Sequence, residues 1–258
     1  MNIITSTNVT KRFGGLEAIH NLDIDIEEAS ISSIIGPNGA GKTTFFNCIT
    51  GYYKPELGTI HLLEKEITGL SPHKIAEKGI SRTYQNIRLF ASLTTLENIM
   101  AGEHTILHST FTDSLFSLKR HNSEEKKALD RAKQTLHFVG LQGCGDRIAC
   151  NLAYGAQRRL EIARAIANNP KVLLLDEPTA GMNPSETQEM IKLIRRLRDE
   201  LGITIILIEH DIKLVMQISE KIVVLDFGAK IAEGKPVEIQ KDTLVIEAYL
   251  GKKNTIYQ

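Results

Sequence analysis

The sequence predicts an α/β fold built on a mainly parallel sheet, with a helical segment inserted between its first strand and its later ones. Three observations carry this. Short runs rich in Val, Ile and Leu, bounded by Gly, Pro or charge, alternate with amphipathic stretches. One of these runs passes directly into a glycine-rich turn that opens a helix. From about residue 90 to residue 168, strand patterns give way to helical ones.

In chain order, residues 31–35 form the first buried-strand candidate, and 171–176, 203–209 and 222–226 are three more. Each is apolar almost throughout, as strands covered on both faces must be. A helix separates the first two of these three. Asn183 is suited to its N-cap, Pro184 to its first position, and Glu186 completes a capping-box spacing. Met190, Ile194, Leu197 and Leu201 then recur on one face, Arg195, Arg196 and Arg198 favour the negative end of the dipole, and Gly202 stops the helix. Within 90–168 the clearest helix is 123–138, opened by the charged residues Glu124 to Lys127, and 106–122 is the least regular stretch. The expected division is a core of 1–89 and 169–236, a helical subdomain of 90–168, and a C-terminal helix and tail over 237–258, the last residues being disordered.

The 258 residues carry 31 basic and 31 acidic side chains, and this zero net charge argues against a nucleic-acid partner. No apolar run approaches the roughly 18 residues of a membrane span, and the N-terminus lacks the pattern of a signal peptide. Cys48, Cys144 and Cys150 show no CxxC spacing, which points to a reducing compartment. His104 and His108 are four residues apart, with His121 and Cys144 further on, but they make no tight four-ligand zinc pattern.

The stretch Gly36-Pro37-Asn38-Gly39-Ala40-Gly41-Lys42-Thr43-Thr44 fits GxxxxGK[ST] and follows a strand candidate. Its glycines let backbone N–H groups ring phosphate oxygens, and the helix that starts near Lys42 adds the positive end of its dipole. Lys42 is expected on the β- and γ-phosphates, and the Thr43 hydroxyl on Mg²⁺. The second half is KVLLLDEP over 171–178, an apolar strand ending in two carboxylates. Asp176 is expected near the magnesium, and Glu177 as the base that deprotonates the attacking water. These two motifs make a nucleoside triphosphatase.

Five further features lie in a fixed order around them: Phe13 in KRFGG, Gln85 in SRTYQN, LAYGAQR over 152–158 leading into a helix, AGMN over 180–183, and His210 in LIEHD. With these the chain resembles the nucleotide-binding subunits of ATP-binding cassette (ABC) transporters over residues 3–251. The resemblance implies a P-loop NTPase core, a mainly parallel sheet with an antiparallel β subdomain, and an inserted α-helical signature subdomain. It also implies that two chains sandwich two ATPs head to tail. Phe13 would then lie against adenine, and Gln85 would meet both the magnesium and the attacking water. His210 would contact the γ-phosphate, and Ala153 and Gly155 the γ-phosphate held by the second subunit. Two positions depart from the family's usual signature: Ala153 stands where Ser is usual, and Ala156 where Gln is usual. Loss of the Ser hydroxyl removes a hydrogen bond of about 0.5–1.5 kcal/mol. Asn183 replaces the more common Asp at the end of the 180–183 loop.

RRLEIARA after the signature, AGMNP, LIEHDIKLVM, RTYQNIRLF and EAYLG resemble one branch: the ATPases of branched-chain amino-acid uptake and their urea or short-amide relatives. That branch implies a second ATPase subunit (a heterodimer, with a homodimer left open), two integral membrane permease subunits and, indirectly, an extracytoplasmic solute-binding protein. It places the chain peripherally on the cytoplasmic face of the inner membrane. Lipopolysaccharide-export ATPases and non-transport ABC ATPases are the alternatives.

Overall fold

The apolar runs form strands whose successive side chains point to opposite faces, so each strand feeds two cores at once. The computed structural model describes residues 1–103 and 118–250. Ten strands are formed among them: β1 (Asn2–Phe13), β2 (Leu16–Glu27), β3 (Ile31–Ile35), β4 (Leu57–Leu62), β5 (Lys65–Glu66), β6 (Ile80–Arg82), β7 (Val172–Asp176), β8 (Thr204–Ile208), β9 (Lys221–Asp226) and β10 (Ala229–Gly234). The helices are α1 (Lys42–Ile49), α2 (Pro72–Glu77), α3 (Thr95–Gly102), α4 (Leu118–Phe138), α5 (Tyr154–Ile166), α6 (Pro184–Leu201), α7 (Ile212–Ile218), α8 (Pro236–Ile239) and α9 (Thr243–Leu250).

One sheet has the order β10-β9-β3-β8-β7-β6. Its pairs β9/β3, β3/β8, β8/β7 and β7/β6 are parallel, and only the edge strand β10 runs antiparallel, to β9. The other sheet, β2-β1-β4-β5, is antiparallel throughout. Alternation along the parallel strands divides the core. Leu173, Leu175, Ile205 and Leu207 pack with Met190, Ile194 and Leu197 of α6 and Leu160 and Ala163 of α5. Val172, Leu174, Ile206 and Ile208 pack on the opposite face with Phe45, Phe46 and Ile49 of α1 and with Ile4, Ile24 and Ile60 of the antiparallel sheet. At about 1.5–3 kcal/mol for each fully buried large apolar side chain, this double cover holds the central strands in register.

The four strands read from sequence appear within a residue or two of their expected ends. Helix α6 starts and stops as its residues dictate. Asn183 Oδ1 accepts from Glu186 N at 2.9 Å, Glu186 Oε2 accepts from Asn183 N at 3.0 Å, and Gly202 turns the chain at φ 66°. The described residues of 90–168 form helices and a short 3₁₀ turn at Ala149–Asn151, with an isolated bridge between Thr94 and Ile148. Helix α4 covers the expected 123–138, its described residues running from Leu118 to Phe138. Residues 104–117 and 251–258 lie outside the described residues; the first range holds most of the stretch read as irregular, the second most of the expected tail.

Candidate active site

Parallel pairing of β3, β8, β7 and β6 sends their C-terminal ends to one edge of the sheet, where open α/β sheets bind ligands. From β3 comes the loop 36–41 and helix α1. The ends of β7 and β8 deliver Asp176 with Glu177 and Glu209 with His210, and the chain leaving β6 delivers Gln85. Asn38 to Thr44, Gln85, Glu177, Ile208 and His210 line one cavity of about 450 Å³ at this edge.

The glycines of the loop do different jobs. Gly36 has φ 146°, and a Cβ there would lie 2.0 Å from the Leu225 carbonyl oxygen. Gly41 has φ 99° and would place a Cβ 2.6 Å from the Ala18 carbonyl oxygen. Both are needed because the backbone of a neighbouring strand comes too close for any side chain. Gly39, at φ 83° with nothing within 4 Å of a Cβ, is needed only for its backbone conformation. Gly41 gives α1 no side-chain cap, so its first-turn amides stay open toward the cavity.

Lys42 is buried and folds back over the loop, donating to the Gly36 carbonyl at 2.7 Å and the Pro37 carbonyl at 2.9 Å. Burial lowers its pKa, against the opposing pull of the Glu177 and Asp176 carboxylates. Glu177 takes the left-handed φ of 49°, rare for a residue with a side chain, and stands before Pro178. That turn swings its carboxylate into the cavity. There Oε1 lies 2.7 Å from His210 Nε2, and Oε2 accepts from Gln85 Nε2 at 3.1 Å. Two side chains from two other strand ends therefore meet on the Glu177 carboxylate, as a water-activating base and its orienting groups require.

Asp176 Oδ2 accepts from Arg82 at 2.8 Å, and the pair is almost wholly buried. Arg82 also donates to Asn47 Oδ1 of α1 at 2.6 Å. Thr43, exposed, and Gln85 line the cavity and Asp176 lies buried outside its lining; their hydroxyl, amide and carboxylate oxygens are the hard donors that suit Mg²⁺. Two residues here escaped the sequence reading. Arg82 is one. The other is Glu209, whose buried carboxylate accepts from Thr179 N at 3.0 Å, Thr179 Oγ1 at 2.5 Å and His210 N at 3.1 Å. It ties the turn carrying Glu177 to the strand end carrying His210. An acid closing the otherwise apolar run ITIILIE was the available signal for it.

A profile of the family described as ABC transporter matches residues 19–180. The chain belongs to the ABC transporter family. A second profile, described as branched-chain amino acid ATP-binding cassette transporter, matches residues 229–253 of the cassette. The cassette is 48% identical over 250 residues to the high-affinity branched-chain amino acid transport ATP-binding protein BraF of Pseudomonas aeruginosa, covering 97% of this chain and 98% of that one. It is 46% identical over the same span to the protein LivG of Escherichia coli, which bears the same description. Among solved structures, a nucleotide-free ATP-binding cassette from an ABC transporter superposes with a TM-score of 0.85 at 33% identity, covering 98% of this chain and 100% of that one. A dimeric post-hydrolysis cassette bound to ADP and Pi superposes with a TM-score of 0.76 at 27% identity, covering 90% and 98%.

Not every expected site residue of the cassette lies in the cavity. Ala153 and Gly155 begin α5 on a different surface. Ala153 stands at the N-cap and makes no side-chain hydrogen bond there, while Gly155 is buried where a Cβ would lie 2.9 Å from Glu186 Oε1. Phe13 ends β1 outside the cavity lining, 41% exposed, with its ring edge-on to Tyr53 at 5.0 Å. Lys11 lies 5.2 Å from the Phe13 ring centroid. His104 and His108 are outside the described residues, and among those described no cluster of three or more His, Cys, Asp or Glu could hold a metal. The three cysteines are free. No described helix is long and apolar enough to cross a membrane.

Proposed function

We propose that the chain is the ATP-hydrolysing subunit of an ABC importer for branched-chain amino acids. The observation that carries the catalytic part is the meeting of Glu177, His210 and Gln85 in the cavity ringed by the P-loop. The identity to BraF and LivG, together with the C-terminal match over 229–253, supports the choice of solute class.

In this reading the triphosphate lies along residues 38–44, against the open amides of α1. Lys42 exchanges the two loop carbonyls for phosphate oxygens and so regains a full counter-charge. Glu177 takes a proton from a water that Gln85 helps to orient. The water oxygen bonds to the γ-phosphorus as the bond to the ADP oxygen breaks, leaving ADP and phosphate. His210 holds the Glu177 carboxylate on one side and reaches toward the γ-phosphate on the other. Thr43, Asp176 and Gln85 would hold Mg²⁺, which supplies charge neutralisation of the phosphates when bound. Phe13, beside Tyr53 on the antiparallel sheet, is the proposed platform for adenine.

Ala153 and Gly155 lie off the cavity, so their proposed role is on the nucleotide of a second ATPase subunit, a different chain in the branch this one resembles. Two membrane permeases would dock on the pair at the cytoplasmic face of the inner membrane, and a solute-binding protein would deliver amino acids from outside. The test is purification of the native complex through a tag on this chain. It should bring down two membrane proteins and a second cassette, with ATP turnover stimulated by a binding protein loaded with leucine, isoleucine or valine. Recovery with ribosomes in place of membrane proteins, or turnover unchanged by Lys42→Ala, would overturn the reading.

A further inference from the structure

One face of α5 carries Tyr154, Arg158 and Glu161 at i, i+4 and i+7. Arg158 and Glu161 form an ion pair at 3.1 Å with both side chains only 2% exposed. Two charges so far from water cost several kcal/mol each unless their remaining hydrogen bonds are filled. Here, Arg158 Nε apart, they are filled by the backbone of the loop that carries Gln85. Arg158 donates one N–H to the Tyr84 carbonyl at 2.5 Å and another to the Gln85 carbonyl. Glu161 Oε1 accepts from Arg88 N at 3.2 Å and from Tyr84 N at 3.4 Å. The pair thus grips both ends of residues 84–88, and the side chain leaving that segment is the Gln85 amide found 3.1 Å from Glu177.

We propose that Arg158 and Glu161 are positioning residues for hydrolysis: they hold the 84–88 backbone so that Gln85 is aimed at the Glu177 carboxylate. The inference deepens the ATPase reading and rests on it. An apolar pair of equal bulk could fill the same space, but it offers the loop neither donors nor acceptors. Placement errors near 1 Å cost rates up to about a hundredfold, so a loop released from this grip loses turnover before it loses nucleotide. Arg158 also reaches the Tyr154 hydroxyl at 3.4 Å. A Cβ on Gly181 would meet that tyrosine ring at 3.4 Å, so the 180–183 loop adjoins the same cluster.

The experiment compares wild type, Arg158→Lys, Arg158→Met and the double variant Arg158→Met with Glu161→Leu. ATP turnover is measured in the tagged transporter complex, and thermal unfolding and amide hydrogen exchange in the full chain. The single Met variant leaves a buried carboxylate unpaired and is expected to lower both Tm and kcat; the double variant removes that charge and should recover Tm. The expected result is that kcat in the double variant stays down about tenfold or more with KM for ATP within about threefold, because the lost interaction belongs to the transition state. Arg158→Lys, keeping the charge without the two-pronged fork, should fall between. Exchange over 84–88 should quicken about tenfold in the double variant while that of 36–44 is unchanged. Recovery of kcat together with Tm, or unchanged exchange over 84–88, overturns the proposal. Wild-type turnover in a Glu177→Gln control would instead sink the ATPase reading, and the exchange measurement would still decide the grip on the loop.

Discussion

Helices α1 and α5 begin alike and in different company. Neither N-terminus has a side-chain cap, whereas α3 and α6 carry complete capping boxes at Thr94 with Glu97 and at Asn183 with Glu186. The open amides of α1 face a cavity into which three neighbouring strand ends send Gln85, Glu177 and His210. Those of α5 adjoin Glu186, a carboxylate already engaged at the cap of α6. Both ends are suited to an anion. Only the first has the groups to act on one, because its strands are adjacent in a parallel sheet and open on the same edge. The comparison teaches that a phosphate-binding terminus becomes a reactive site through what the topology sets opposite it. For α5 the proposed function assigns those groups to a second chain.

The strongest test of the completed end is Glu177→Gln. Loss of a positioned base lowers turnover by about 10²–10⁴-fold. Phosphate release by the assembled complex should fall on that scale while ATP stays bound, giving a closed, nucleotide-loaded form on size exclusion. Wild-type release would break the assignment of Glu177. Next in size is Arg82→Met, which strands the buried Asp176 carboxylate. Removing one partner of a buried pair costs about 3–5 kcal/mol, so urea unfolding of the nucleotide-free chain should show a much lower midpoint. Glu209→Ala comes third. It leaves the Thr179 amide and hydroxyl without their acceptor, a loss of about 1.5–3 kcal/mol. Glu209→Gln keeps an acceptor and should recover part of it. A Glu209→Ala chain as stable as wild type would show that the turn carrying Glu177 is held by something else.

Much of the completed end was legible because its residues sit at fixed spacings within single segments. The P-loop follows its strand, Asp176 and Glu177 close theirs, and the cap of α6 is spelled out by Asn183, Pro184 and Glu186. What stayed hidden depends on pairing between segments. The contact of Arg82 with Asp176 exists because β6 lies beside β7, and the Glu209 contact because β8 flanks β7 on its other side. No periodicity within a segment reports which strands are neighbours. The grip of Arg158 and Glu161 on residues 84–88 spans some seventy positions and reads as ordinary surface charge until the helix is docked.

The smallest predicted effect bears on the unfinished end. Ala153 occupies the N-cap of α5 with the extended backbone of a capping residue, φ −60° and ψ 152°, but has no oxygen to offer. Ala153→Ser supplies one. A serine at an N-cap is worth about 1 kcal/mol over alanine, which in a chain of this size raises Tm by about 2–4 °C. The isolated chain should show that gain by calorimetry without nucleotide. In the assembled complex the same hydroxyl has a second use, because it can donate to a phosphate oxygen while its lone pair accepts from the helix. One neutral hydrogen bond contributes about 0.5–1.5 kcal/mol, so turnover limited by closure of the pair should rise by up to about tenfold. A rise in Tm with no change in turnover would mean that the start of α5 meets no phosphate during the cycle, and its open amides would then be a local economy of the fold. A rise in both would place the start of α5 beside the nucleotide of the second chain.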